Sequence, residues 1–512
     1  MAEETNPVKE PQDEPTLETS PSDVAKLTLE ALSDEEPADD SSEAEDTGGG
    51  TPLHELLLKM AGDNEGSKRK DDLDELSRML HDGVNVHAKD ADGETALHLA
   101  AANGIVEAAK WLMETGANVS ELDNEKRQPL HKACSEGRVE LVEMLLNQGA
   151  DINARQHKNA TPLHEACWPG HLDVVKLLLK GGANTQVTEE DGWSPLHAAS
   201  QSGHAEVIQA LLDEDKTNID ATEGLEGWTA INVAIYNGHV DAISTLLRYE
   251  ASVNIQDNDG WTPLMTATKQ KHEDIVRKLL DHKGLDGKGA SELETRDESG
   301  HTPLLTASID GFSAGASLLI AAGADRNVQS TRSKATPLIA ASCWGYGAIV
   351  KALLEPSGQT DVNSQDEDGW TAVHFASNRG NSKVVALLLR REAKVDSVNN
   401  DEKTALHLAS QKGNENVVKL LLRAEASVDT TDQDGETALH LASGAGLEDC
   451  SEQNDDDGGG GDDIGFEDLS PEDREMMEFR SGQHAAVVEL LLNHKANPDA
   501  KTNKKRRRCI LL

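Results

Sequence analysis

A motif of the form Thr-Pro-Leu-His, or a close variant of it, recurs along this 512-residue chain at intervals near 33 residues. Between Thr95 and Ser194 the interval is 33 residues three times in succession, and later intervals range from 33 to 40. The starts fall at Thr51, Thr95, Gln128, Thr161, Ser194, Thr229, Thr262, Thr302, Thr336, Thr371, Thr404 and Thr437. Self-similarity at this period predicts one small unit repeated about twelve times, each copy packing on its neighbours.

Each residue type in the unit has a physical role. Thr161 suits the N-cap of a short helix, and Pro162 suits its first turn. Apolar residues at helical spacing then supply one buried face on each of two helices: Leu163, Ala166, Val174, Val175, Leu177 and Leu178. Glycines end the two helices, and an Asp-Gly pair forms a tight turn before the next copy: Gly170, Gly182, Asp191 and Gly192. One copy cannot bury both helices alone, so the core must be shared.

The Thr-Pro-Leu-His-x-Ala motif at a 33-residue period resembles the ankyrin-repeat family over roughly residues 51–500. The resemblance implies an all-α solenoid of helix-turn-helix pairs joined by β-turn or hairpin fingers. It also implies a protein that binds other proteins. The motif histidine is replaced in four central copies, at Asn232, Met265, Leu305 and Ile339, and these copies depart most from the family pattern.

Composition shifts predict the domain boundaries. Residues 1–50 hold 16 acidic and 2 basic side chains and are expected to be a disordered acidic tail. The array occupies 51–500, and a second acidic stretch at about 447–482 interrupts its last copy as a disordered insertion. Within that insertion, Pro471 to Phe479 is predicted to form a short helix capped by Ser470. Residues 501–512 are a polybasic tail.

The net charge of −45 bears on the choice of partner. A strongly acidic body repels nucleic acid and anionic lipid, so either contact would have to use the basic tail. We therefore expect no nucleic acid as a partner, and a protein partner with a basic patch. Five cysteines form no CxxC pair, and neither a signal peptide nor an apolar run near 18 residues is found, which predicts a reduced cytosolic or nuclear protein.

The tail carries the sharpest functional motif. Cys509 is fourth from the end and is followed by Ile510, Leu511 and Leu512, a pattern that looks like a C-a-a-X prenylation box with a preference for geranylgeranyl. The basic run beside it would add attraction to an anionic cytosolic leaflet: Lys504, Lys505, Arg506, Arg507 and Arg508. The same run resembles a nuclear localisation signal, which leaves a nuclear location as the alternative.

The motif histidines invite a metal interpretation that the spacing disfavours. They are His54, His98, His131, His164, His197, His374, His407 and His440. Each belongs to a different copy, and neighbouring helices pack about 8–10 Å apart, whereas zinc needs ligands at about 2 Å. We predict structural histidines bonded to nearby backbone and no metal site. The aspartate run at Asp455 lacks EF-hand spacing and is taken as a solvated acidic loop.

Six tryptophans are candidates for partner binding. Trp193, Trp228, Trp261 and Trp370 occupy one motif position just before the capping Thr or Ser, and are expected along the finger edge of a concave groove. Trp168 and Trp344 lie just before the glycine that ends a first helix and are expected to face the same groove. Exposed aromatics often dominate binding energy, but each indole could equally pack over the next copy's turn.

No nucleotide-binding, nucleophile-elbow or zinc-protease motif occurs in the chain, so we expect no enzyme, no cofactor and no small-molecule substrate. The hypothesis is a non-enzymatic adaptor or scaffold, prenyl-anchored to the cytosolic face of a membrane. A nuclear regulatory ankyrin protein is the alternative.

Overall fold

A computed structural model describes residues 51–62, 66–214, 219–283, 291–355, 359–448 and 471–500, all within one compact unit. In these ranges the chain forms twelve consecutive pairs of helices and no extended strand, which confirms the all-α prediction. We number the repeats 1–12 from the motif starts, so repeat 1 begins at Thr51 and repeat 12 at Thr437. The 1–50 tail, the 449–470 part of the insertion and the 501–512 tail lie outside the described residues.

The first helices of the pairs carry the motif and are short after repeat 1. They are α1 Pro52–Gly62, α3 Ala96–Asn103, α5 Pro129–Ser135, α7 Pro162–Cys167, α9 Pro195–Gln201, α11 Ala230–Tyr236, α13 Pro263–Lys269, α15 Pro303–Ile309, α17 Pro337–Cys343, α19 Ala372–Asn378, α21 Ala405–Gln411 and α23 Ala438–Glu448. Each packs on the first helix of the next repeat.

Most of the second helices are amphipathic, and they pack on one another in the same order, except that those of repeats 6 and 7 make little direct contact. They are α2 Gly66–His81, α4 Val106–Glu114, α6 Val139–Asn147, α8 Leu172–Lys180, α10 Ala205–Glu214, α12 Val240–Arg248, α14 Glu273–Asp281, α16 Ser313–Ala322, α18 Gly347–Leu354, α20 Ser382–Leu389, α22 Glu415–Arg423 and α24 Pro471–Asn493. The helix expected at Pro471 to Phe479 is continuous with the second helix of repeat 12, because α24 has no break between them.

Repeat 4 shows why the local sequence folds as it does. Thr161 is extended at φ −103° and ψ 165°, and Pro162 begins α7. Leu163 and Ala166 are fully buried on one side, and Val174 and Val175 of α8 meet them in the shared core. Every buried methylene adds about 0.8 kcal/mol, so a stack of such repeats is held by a continuous apolar layer.

Hairpins connect the pairs and form a backbone ladder of their own. Each hairpin is closed internally, as by the Asp257 N–H donating to the Trp261 carbonyl at 3.0 Å. Each also bonds to the hairpin before it, as by Asn258 N–H donating to Glu226 O at 2.9 Å and Glu298 N–H donating to Asp259 O at 3.2 Å. The ladder runs from Asp92 to Gln433, so neighbouring repeats are joined at the turns as well as through the core.

Most first helices end at a left-handed glycine, although repeat 7 has Lys271 there, and Gly170 shows two reasons why glycine is needed. Gly170 has φ +82°, a left-handed conformation that side chains disfavour. A methyl group on it would lie 2.4 Å from Nδ1 of His204, whose ring comes from the following repeat. Gly182, which ends the second helix, has φ +84° but open space around its Cα.

These two glycines allow a matched test of inter-repeat packing. Gly182→Ala should lower the free energy of unfolding by about 1–2 kcal/mol, the cost of a left-handed alanine. Gly170→Ala should cost about 1–3 kcal/mol more, because the methyl group also displaces the His204 ring. Urea unfolding followed by circular dichroism measures both, and equal losses in the two variants would contradict the close approach.

Candidate functional site

The motif histidines each tie three backbone segments together. In repeat 4, the Thr161 N–H donates to Nδ1 of His164 at 3.1 Å, so Nδ1 must be unprotonated. Nε2 therefore carries the proton and donates to the Trp193 carbonyl of the next hairpin at 3.1 Å. The Nδ1 bond recurs at His98, His131, His197, His374, His407 and His440. Nε2 donates to the hairpin carbonyl just before the next motif at His54, His98 and His197. At His131, His374, His407 and His440 it donates instead to a carbonyl in the loop after the second helix of the same repeat.

This geometry engages both ring nitrogens and leaves none for a metal ion. In the described ranges no group of His, Cys, Asp or Glu side chains converges as metal ligands would. Repeats 6 to 9 bury the residue that replaces the histidine. In repeats 7, 8 and 9 the backbone N–H of that residue donates to the hydroxyl of the N-cap threonine, which is Thr262, Thr302 or Thr336. In repeat 6 the shorter Asn232 amide makes no hydrogen bond with the surrounding described side chains or backbone.

Burial lowers the pKa of the motif histidines. Desolvation brings the pKa of His131, His164 and His374 from 6.5 to about 4, and it lowers the pKa of His98, His197 and His407 in the same direction. Between pH 6.5 and 4 the unfolded chain therefore binds protons that the folded array excludes, so these groups make stability fall as pH falls. Buried carboxylates with raised pKa oppose the trend: Glu165 at about 7, and Asp257 and Asp366 at about 6.

Replacing one buried histidine should reduce the acid sensitivity of the array. His164→Met, which places in repeat 4 the residue that repeat 7 has at Met265, should lose less stability than the unsubstituted protein between pH 6.5 and 5. The difference should be about 2 kcal/mol, the linkage free energy of one histidine over that interval. Urea unfolding at both pH values measures it, with exposed His157→Met as the matched control. An unchanged pH dependence in His164→Met would contradict the assignment.

The six candidate tryptophans divide by exposure. Trp344 is 48% exposed and Trp168 is 37% exposed, whereas Trp261 is buried at 8%. Trp193, Trp228 and Trp370 are half-buried. The exposed edges lie on the side of the array made by the hairpins and the last turns of the first helices, which we call the groove face.

Trp168 and Trp193 meet across the boundary between repeats 4 and 5. Their rings stack at 5.7 Å between centroids and 17° between planes. Trp168 Nε1 is 3.5 Å from Oε1 of Glu189, which lies on the same hairpin as Trp193. The structure therefore brings together two residues that sequence reasoning had placed at different motif positions.

The other indoles have local partners. Trp228 packs against Tyr236 at 4.9 Å, and Trp370 packs against Phe375 at 4.9 Å. The Trp344 ring has the Arg379 guanidinium over it at 5.9 Å. Trp228, Trp261 and Trp370 thus contribute to packing, while Trp168 and Trp344 keep most of the open surface.

Carboxylates crowd the groove face of the middle repeats. The pKa of Glu165 is raised to about 7 by burial and by Glu189, against the opposing charge of Arg127. Burial also raises the pKa of Glu189, with Asp191 adding to it. Burial together with Asp259 raises the pKa of Glu226. Burial is the largest cause of all three shifts, and neighbouring carboxylates add to it.

Repeats 2 and 3 are different because their acids are paired. Asp123 accepts from Arg127 at 2.8 Å and lies 3.7 Å from Lys132, which also pairs with Glu94. Although burial raises the pKa of Asp123, its bonds to Arg127 outweigh that effect and the pKa is lowered. The uncompensated part of the face therefore begins at repeat 4.

Two features were missed by the sequence reasoning. His171, His204 and His239, with Asn381 and Asn414, stand at the start of second helices and donate to a carbonyl of the preceding repeat. His484 makes the same bond from within α24. The recurring Gly-His and Gly-Asn pairs were the available signal. Leu225, at a hairpin tip beside the acidic Glu226, is 65% exposed, and nothing in the motif marks it.

The tail residues proposed for lipidation and localisation, Cys509 and Lys504 to Arg508, lie outside the described residues. Cys134, Cys167 and Cys343 are buried and form no disulfide bond. The helices that the structure describes include none with the length and hydrophobicity needed to cross a bilayer.

Comparison with known proteins identifies the repeat. A family profile described as "Ankyrin repeats (3 copies)" matches six overlapping segments, 67–156, 154–223, 215–290, 285–366, 348–432 and 374–453. The chain is 33% identical over 147 residues to human B-cell lymphoma 3 protein, covering 27% of this chain and 30% of that protein.

Other relatives match over similar lengths. Chicken nuclear factor NF-kappa-B p105 subunit is 32% identical over 143 residues, covering 28% of this chain and 14% of that protein. Bovine ankyrin repeat and SOCS box protein 3 is 31% identical over 149 residues, covering 29% and 27% respectively. Each match spans less than a third of the relative, so the likeness concerns the repeats.

Proposed function

The chain belongs to the ankyrin-repeat family, and from that premise we propose that it is a non-enzymatic adaptor whose groove face binds a protein partner bearing a basic patch. Ankyrin repeats are protein-protein interaction modules, and the matched segments fill most of the array. The fold alone does not name a partner, because the binding residues vary on a common scaffold.

The observation that carries this proposal is the pairing of exposed indoles with uncompensated carboxylates on one face. Trp168 and Trp344 each leave more than a third of their surface open, and tryptophan is enriched among residues that dominate binding energy. The surrounding acids attract a basic surface over distance and suppress acidic competitors. The groove face would therefore select a partner by charge and hold it by aromatic contact.

Paired variants on two faces test this location. Trp168→Ser with Trp344→Ala should reduce partner recovery about 10-fold in affinity purification with quantitative mass spectrometry. Val139→Ala with Val240→Ala, which removes exposed apolar side chains from second helices, should leave recovery unchanged. Loss of the partner in the second pair but not in the first would contradict a groove-face adaptor.

The second part of the proposal is a membrane tether at Cys509. The C-a-a-X pattern of the last four residues supports it, and so does the adjacent basic run, worth roughly 1 kcal/mol per basic residue near an anionic leaflet. One lipid alone holds a protein weakly, so the two signals would act together. The adaptor would then recruit its partner to the cytosolic side of a membrane.

The mass of the C-terminal peptide from protein made in its native cell tests the tether. We expect a geranylgeranyl adduct on Cys509 with Ile510 to Leu512 removed. Cys509→Ser should shift the protein from the membrane to the soluble fraction. Leu512→Ser should exchange the lipid for farnesyl, because the last residue of the box selects the isoprenoid.

An unmodified Cys509 followed by an intact Ile-Leu-Leu would overturn the tether and favour a nuclear regulatory protein. The basic run is what supports that alternative, since it resembles an import signal. Under it, Cys509→Ser would leave the distribution unchanged, and replacing Lys504 to Arg508 by alanine would exclude the protein from the nucleus.

A further inference from the structure

We infer that the Trp168–Trp193 stack with Glu189 and Glu165 is a binding site for an arginine side chain of a protein partner. The inference rests on the proposed adaptor function and assigns the chemistry of one contact within it. The arginine contact is inferred for the boundary between repeats 4 and 5 and not for the rest of the groove face.

The first argument is that the two indoles are held in place. The Trp168 carbonyl accepts a bond from Nε2 of His204 at 3.1 Å, and the Trp193 carbonyl accepts one from Nε2 of His164 at 3.1 Å. His164 lies in the first turn of α7, and His204 lies just before α10. The array therefore fixes the backbone on each side of the stack. A preordered aromatic surface loses little entropy when a ligand settles on it.

The second argument is charge. Glu189 lies against the edge of Trp168, and its charge adds to the burial that raises the pKa of Glu165. The cations facing them are Arg127, already bonded to Asp123 and Glu125, and Lys158. An added cation would be attracted both by these acids and by the π face of an indole.

The third argument is the form of the cation. At the boundary between repeats 9 and 10 the chain places its own Arg379 guanidinium over Trp344 at 5.9 Å. Through the described parts of the chain, no cationic group lies over Trp168 or Trp193. A planar guanidinium can stack on the indole and still donate to a carboxylate, which a lysine ammonium does less well.

The occupant cannot be the chain's own basic run reaching back in cis. That run follows repeat 12, and the site lies eight repeats away, about 70–80 Å at the spacing of packed helices. The twelve residues 501–512, fully extended, span at most about 43 Å. An arginine supplied by another protein molecule is therefore required.

The test uses the full-length chain and a fluorescein-labelled peptide, Ser-Gly-Ser-Arg-Ser-Gly-Ser-Arg-Ser-Gly-Ser, with lysine and citrulline versions of the same length. We expect fluorescence anisotropy to show the arginine peptide binding about 3-fold tighter than the lysine peptide and about 10-fold tighter than the citrulline peptide. The preference for arginine over lysine should persist when salt is raised to about 0.5 M, because stacking is screened less than long-range attraction.

Two variants of the site and two controls locate the contact. Trp168→Ser, which repeats the Ser135 found at this position in repeat 3, and Glu189→Gln should each weaken arginine-peptide binding about 5-fold. Trp344→Ala and Glu190→Gln should leave it unchanged. A thermal melt followed by circular dichroism checks that each variant is folded, and Glu189→Gln serves as the second site variant if Trp168→Ser is unstable.

Equal affinity for arginine and lysine peptides, or binding insensitive to both site variants, would overturn the arginine site and indicate general charge attraction. That result would leave the adaptor proposal standing if the Trp168→Ser with Trp344→Ala pair still loses its partner. Loss of the adaptor proposal, in contrast, would appear as partner recovery that the Trp168→Ser with Trp344→Ala pair does not reduce.

Discussion

A buried imidazole that bonds to two backbone groups is the interaction that seven of the twelve described repeats share. One neutral ring accepts from the N-cap backbone of its own repeat and donates to a carbonyl beyond the second helix, as His164 does between Thr161 and Trp193. A single side chain thereby satisfies an orphan donor at a helix start and an acceptor in a turn. Burial is the main cause of the low pKa of His164, and protonation would in addition place a donor on Nδ1 where an acceptor is needed.

Coupling at every repeat boundary also explains where function can reside. Core leucines, the hairpin ladder and the histidine bonds hold neighbouring repeats together. The outward residues of the groove face are therefore not needed for stability. The array can then tolerate buried carboxylates with raised pKa, such as Glu165 and Asp257, whose desolvation costs stability. In the proposed adaptor, a basic partner would offset part of that cost.

Much of the fold follows from periodicity, because a 33-residue repeat with N-cap, apolar face and glycine stop leaves few alternatives. The structural role of the motif histidines was likewise predictable from their spacing. The second set, His171, His204 and His239, was not predicted, since each bonds backward to a carbonyl about 36 residues away that has no side-chain signature. The continuity of α24 was missed because Ser470 and Pro471 were taken as the start of a separate helix.

The sequence by itself determined the repeat, its helices, the buried histidines and the acidic character of the protein, since each is set within one copy of the motif. Only the tertiary structure decided which tryptophans are available to a partner. Trp193 and Trp261 share a motif position, yet Trp193 stacks on Trp168 at an open boundary while Trp261 is buried. The exposure of such a side chain depends on the residue across the repeat boundary, and the period of the motif does not encode that neighbour.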